Sequence, residues 1–148
     1  MTPTEVDLVQ ASFRKFVPLA DQVAGLFYAR LFELDPAVRS LFGGSMHDQG
    51  RTWITAVDSA VSDLDNLDSL LPSIRALGAW YSGHGVLEEH YASVGAAWLW
   101  TLQKGLGSEF TPAVRAAWTS TYSLLATAMI EGQRHAAPPP GTTATSLP

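Results

Sequence analysis

The side chains able to do chemistry in this chain are mainly phenols and imidazoles. It has four tyrosines, four histidines and no cysteine. Without cysteine there is no disulfide, no thiol nucleophile and no thiolate metal site. Tyr81 and His84 stand three residues apart, a spacing that puts two side chains on one helix face. Gly83 and Gly85 flank His84, however, and favour a helix end there. Gln49 and Trp53 are one helical turn apart and share a face, whereas His47 and Gln49, two apart, do not. Tyr28 and Tyr91 lie within apolar surroundings, and a buried tyrosine normally finds a partner for its hydroxyl.

These residues need helices to hold them. Thr4 with Asp7 resembles a capping box and predicts a first helix through Val6, Val9, Phe13 and Phe16. Pro18 marks its end or the next start. Val23, Leu26, Phe27, Leu31 and Phe32 repeat at steps of three and four, the stripe of a second helix. Asp35-Pro36 opens a short helix that runs to the break at Gly43-Gly44. Helical patterns then cover Met46 to Leu64, Leu70 to about Ser82, and Glu88 to Lys104. Thr111-Pro112 opens the last helix, with Val114, Trp118, Leu125 and Met129 on its inner face. Residues 136–148 read AAPPPGTTATSLP, a low-complexity stretch that builds no core and is expected to be disordered. No segment alternates apolar and polar residues over a strand length. The expectation is an all-α domain over residues 1–135 with about seven helices, one of them short.

The composition narrows the function. Hydrophobic residues make up 47% of the 148 and charged residues 16%, which favours a well-buried domain. The net charge is -5, and its cations are scattered. Nucleic-acid binding needs them clustered, so that class is set aside. No apolar run approaches the roughly 20 residues that span a membrane. The N-terminus has no secretory pattern. A cytoplasmic protein is expected.

Four stretches carry a specific resemblance: FYARLFELDPAVRSLF (27–42), DQGR (48–51), GVLEEHYASVGAAWLWTL (85–102) and FTPAVRAAW (110–118). Together they resemble the single-domain bacterial globins of the flavohaemoglobin lineage, over roughly residues 6–133. The resemblance implies a globin fold around haem b. It places Phe42 flat against the porphyrin, where the residue type alone reads as an ordinary core aromatic. It places Tyr28 as the distal tyrosine that donates to a bound ligand; a structural hydrogen bond is the competing reading. Gln49 falls at the distal glutamine, or is a solvated side chain on a turn. Val86 and Tyr91 fall on the proximal side, with Tyr91 in a relay whose glutamate position is occupied by Gln133.

The match breaks at the proximal ligand. Counting from Gly85-Val86 and from Pro72 places the family's histidine at Tyr81. Three accounts stand side by side. Tyr81 ligates iron as a phenolate, as tyrosine does in catalases, and favours the ferric state. His84 ligates instead after a small shift, or is a surface histidine or a contact to a haem propionate. The third account is a globin fold that no longer binds haem. Trp53 stands where relatives carry an aliphatic residue; it either fills the space over the iron or packs outward. Trp80 adds aromatic bulk beside Tyr81. Trp98, Trp100 and Trp118 read as packing, and His90 as the exposed start of its helix.

The resemblance implies binding of a small diatomic ligand such as dioxygen or nitric oxide, or of peroxide. A tyrosine-ligated ferric haem enzyme and a haem-free sensor or interaction module are the alternatives. No Gly-rich dinucleotide fingerprint is present, so redox turnover would call on an external reductase. A homodimer is left open.

Overall fold

A single turn shows how the first helix starts. Thr2, not Thr4, is the cap of α1 (Pro3–Arg14): its side chain accepts from the Glu5 backbone N–H at 3.1 Å, and the Thr2 N–H donates to the Glu5 carboxylate at 2.9 Å. Pro3 occupies the first helical position, where its missing N–H costs nothing, and this moves the capping box two residues ahead of the Thr4–Asp7 reading.

The computed structural model describes residues 1–41, 46–83 and 85–135, without side chains at 40, 41 and 46–53. Five more α-helices follow: α2 (Ala20–Leu34), α3 (Met46–Ser62), α4 (Leu67–Gly83), α5 (His90–Leu106) and α6 (Pro112–His135). The short helix expected after Asp35 is a 3-10 helix over Pro36–Leu41, and two further 3-10 turns cover Val17–Leu19 and Gly107–Glu109. The described residues therefore hold six α-helices rather than seven, because the six residues 36–41 close i→i+3 turns. No strand occurs among them. No helix among them is long and apolar enough to cross a membrane.

The sequence signals at α6 are realised as read. Thr111 caps the helix through its hydroxyl, which accepts from the Val114 N–H at 3.2 Å. The helix α4 starts three residues earlier than its apolar pattern suggested, and Pro72 sits inside it. Leu67 opens that turn and packs, half-buried, against the core.

Two slabs form. The helix α2 lies against both α3 and α5, while α4 packs chiefly on α6, and α1 leans on α6 and α3. The core between them holds Val9, Phe13, Phe27, Leu31, Trp98 and Trp118, all nearly fully buried. Trp118 keeps its indole N–H satisfied by donating to Ser12 Oγ at 2.8 Å. Trp98 meets Phe16, Phe27 and Trp118 edge-on at 5.7–6.3 Å. Such contacts add to burial itself. Trp100 is half-buried on the outer face, where Arg30 and Lys104 approach its ring at 5.1 and 5.6 Å. All three tryptophans therefore pack, as their positions suggested.

Candidate functional site

Among the described residues, two apolar lobes lie in the space between the slabs. One, about 60 Å³, is lined by Phe27, Tyr28, Leu31, Val86, Tyr91 and Val94. The other, about 70 Å³, is lined mainly by aliphatic side chains of α3, α4 and α6, among them Val57, Val61, Ile74, Leu77 and Leu125, with Trp98, Trp118 and Thr121 also on its wall. Tyr81, Tyr122 and Met129 line both and form the partition. Tyr81 reaches this place because it lies in the last turn of α4, one turn beyond Gly78, where α4 lies against α6.

The phenols converge on the first lobe. Tyr28 comes from α2, with its ring 5.1 Å from Phe27 and 5.7 Å from Phe32. Tyr91 comes from the first turn of α5 and is 7% exposed. Tyr122 comes from α6 and donates its hydroxyl to the Tyr91 carbonyl at 2.6 Å. The ring of Tyr122 lies so close to Gly95 that a Cβ there would collide with it.

Burial raises the pKa of all four hydroxyls. Burial alone accounts for the rise at Tyr81. For Tyr91 the value is pushed up to about 12, by burial first and then by the neighbouring Tyr81. Tyr28 is raised further, again by burial and then by Tyr81. Without a positive centre nearby, these phenols stay protonated at neutral pH.

The segment after α4 folds back over this lobe. The Val86 N–H donates to the Tyr81 carbonyl at 3.1 Å, and Gly85 turns the chain with φ of +93°. Gln133 donates from Nε2 to the Val86 carbonyl at 2.7 Å. Arg134 grips Glu88 with two bonds of 2.7 and 2.8 Å, which holds the Glu88 carboxyl below its ordinary value. His90 begins α5, half-buried, and accepts from the Leu87 N–H at 2.9 Å. Two buried polar atoms of this region have no partner among the described residues: Tyr91 Oη and Gln133 Oε1.

The structure thus brings Tyr28, Tyr81, Val86 and Tyr91 together around one lobe. Trp80 departs from its expectation. It touches the Tyr81 ring at 5.1 Å but is 55% exposed and lines neither lobe, because the helical turn that points Tyr81 inward points its neighbour out. Phe42 and His84 lie outside the described residues. Gln49 and Trp53 lie on α3, with side chains outside the described set. Sequence reading missed Tyr122, and it placed Met129 on the inner face of α6 without assigning it to the site. Their signal was present in the spacing of α6, where Met129, Tyr122 and Trp118 recur at steps of seven and four.

A test of the residues against an iron porphyrin turns on these observations. The walls are apolar, two phenols, Tyr81 and Tyr122, stand where the lobes meet, and the buried Tyr91 hydroxyl lacks a partner among the described residues. That set suits a flat apolar macrocycle carrying a ferric centre with an oxygen donor. Each lobe alone falls short of the roughly 300 Å³ at which such sites begin. Even joined, the two lobes fall short of that volume, so accommodation would require their walls to move apart as well as the Tyr81–Tyr122–Met129 partition to open.

Comparison with known proteins gives the family and the fold. A model described as globin matches residues 25–129. The neuroglobin of Danio rerio is 33% identical over 121 residues, spanning 72% of this chain and 76% of that protein. Neuroglobin-1 of Oncorhynchus mykiss is 30% identical over 146 residues, spanning 89% and 92%. Among solved structures, a hexacoordinated haem protein from an anhydrobiotic tardigrade, crystallised at pH 4, superposes with a TM-score of 0.83. It covers 91% of this chain and 96% of its own at 21% identity, a likeness of fold. The sequence resemblance and these matches share the family but not the lineage within it.

Proposed function

This chain belongs to the globin family, and on that premise we propose that it binds haem b and a small diatomic ligand, with Tyr81 as the protein ligand in place of histidine. One observation carries the reading: the Tyr81 phenol stands on the partition of the apolar cavity, within the last turn of α4. When bound, the group supplies an iron centre whose redox state follows its axial donor, and a phenolate favours ferric iron.

The chain's own residues do the rest. Tyr81 would hold the group through its phenol oxygen; burial keeps that hydroxyl protonated in the chain alone, so ligation would need the positive charge of the centre to offset the loss of the proton. Tyr28 offers a hydroxyl from the α2 wall, and Gln49 of α3 is proposed as its distal partner. Trp53 and Phe42 are proposed to bound the pocket. Gln133 and Arg134 hold the Val86–Glu88 segment down on α6. With glutamine at position 133, the carboxylate that would sharpen a proximal donor is missing, so peroxidase-like activation is not part of the proposal. His84 is the alternative ligand. The HYASVG stretch supports the flavohaemoglobin lineage, and a cytoplasmic protein served by an external reductase completes the proposal.

A second reading, a haem-free globin-fold module, is favoured by one observation: with the partition in place, neither lobe is large enough for a porphyrin. The absorption spectrum of protein expressed with haem supplied decides between them. The expected result is a Soret band with a phenolate-to-iron charge-transfer band that Tyr81→Phe removes. A Soret band unchanged in Tyr81→Phe but lost in His84→Ala transfers the role to His84. A helical protein with no Soret band establishes the haem-free reading.

A further inference from the structure

The helices α4 and α6 meet through their backbones. A Cβ on Gly78 would stand inside the van der Waals envelope of the Met129 carbonyl, and a Cβ on Gly132 inside that of the Arg75 carbonyl. The two contacts are reciprocal. Each helix offers a glycine three residues from the carbonyl that the other helix presses against: Arg75 and Gly78 on α4, Met129 and Gly132 on α6. Pairing 75 with 132 and 78 with 129 sets the helices antiparallel. Close approach of this kind brings Cα–H groups onto carbonyl oxygens across a helix interface. A glycine inside a helix costs about 1 kcal/mol relative to alanine, so both positions weaken their own helices in exchange for the approach.

Tyr81 is three residues beyond Gly78, one turn along the same face. Met129, whose carbonyl meets Gly78, also lends its side chain to the partition beside Tyr81. The seam and the site are therefore one turn apart on a shared pair of helices. An exposed ion pair, Arg75 with Glu131 at 3.4 Å, lies on the seam but is too solvated to set its register. The other described glycines of the long helices differ. Gly25 and Gly83 have open space where a Cβ would go, and Gly95 and Gly105 face the Tyr122 and Phe16 rings, which belong to side chains.

We propose that the Gly78–Gly132 seam is the positioning device of the site: it fixes the depth and register of α4 on α6, and through them the place of the Tyr81 phenol. The inference rests on Tyr81 as the haem ligand for its functional meaning, but not for its geometry. Gly78→Ala and Gly132→Ala each require the helices to separate, because the obstructing atoms are backbone and cannot rotate away. Gly25→Ala is the control, with open space around it.

Two measurements test this on the full chain. In haem-loaded protein, Gly78→Ala is expected to shift or abolish the phenolate band while circular dichroism stays helical, and Gly25→Ala is expected to leave the band in place. An unshifted band in a folded Gly78→Ala protein overturns the proposal. In the wild-type chain, which sidesteps any folding failure of the variants, amide hydrogen exchange of α4 and α6 is expected to be slow and to open together. Exchange of α4 amides around Gly78 well ahead of α6 amides around Gly132 overturns it. If no haem binds at all, the exchange experiment and the displacement of the Tyr81 ring NMR signals in Gly78→Ala still decide the seam, so its failure and that of the haem reading are separable.

Discussion

The two lobes of the cavity are nearly equal in size and both apolar, yet their walls have different chemistry. The lobe between α2, α5 and the Val86 turn is rich in phenols and contains a buried hydroxyl, Tyr91 Oη, without a partner among the described residues. The lobe between α3, α4 and α6 shares Tyr81 and Tyr122 with it, but its other walls are mainly aliphatic, with Val57, Val61, Ile74, Leu77 and Leu125, beside Trp98, Trp118 and Thr121. An apolar wall contributes stability in proportion to the area it buries. A buried polar atom left unpaired costs roughly 1–3 kcal/mol. The unpartnered hydroxyl therefore offsets part of what burial contributes in the first lobe, and the mainly aliphatic wall of the second carries no such cost.

That contrast can be broken most sharply at the partition. Tyr81→Phe is expected to weaken haem retention by more than the roughly 10–100-fold typical of outer-sphere changes, with little change in melting temperature of the haem-free chain. Retention equal to wild type would move the site away from the partition. On the aliphatic side, Ile74→Ala is expected to cost roughly 2–5 kcal/mol in denaturant unfolding while leaving the phenolate band in place. A large spectral change with little loss of stability would reverse the assignment of the two lobes.

The pH dependence sharpens the phenolic side. Tyr28, Tyr91 and Tyr122 are all held above the ordinary phenol value, chiefly by burial. The folded chain keeps protons that the unfolded chain loses near pH 10, so the unfolded state binds fewer protons and stability falls as pH rises. Their contribution is complete below about pH 10, and the decline is expected across the window up to about 12, the value for Tyr91. Flat stability from pH 9 to 12 in the haem-free chain would contradict the burial of these hydroxyls. The smallest effect is expected at Tyr91→Phe. Removing the unpartnered hydroxyl should stabilise the haem-free chain by about 1 kcal/mol in denaturant unfolding. A loss of stability would mean that the hydroxyl has a partner.

Much of the frame was legible. Thr111-Pro112 announced α6, and the stripe of Val23, Phe27 and Leu31 became the buried face of α2. The first cap was misplaced because Thr2 and Thr4 both precede acidic residues three positions on, and only the closed turn distinguishes them. The short helix after Asp35 was foreseen as an element, but its 3-10 geometry was not. At the site, counting from Gly85-Val86 and from Pro72 put Tyr81 at the proximal position, and the fold places it on the cavity. Trp80 was misjudged because adjacent residues on a helix diverge by about 100°. Gly78 and Gly132 went unread. An interior helix glycine signals close approach only when the neighbouring helix is known.

The sequence by itself determined the all-α class and the family, and it raised tyrosine at position 81 as the proposed ligand, because periodicity, caps and local residue identity are properties of a chain read in order. Only the tertiary structure decided that Tyr81, Tyr122 and Met129 form one partition, that Gln133 ties down the Val86 turn, and that two glycines fifty-four positions apart bring α4 and α6 into backbone contact. Each of these depends on distances between helices that are far apart in sequence, and such distances are set by packing.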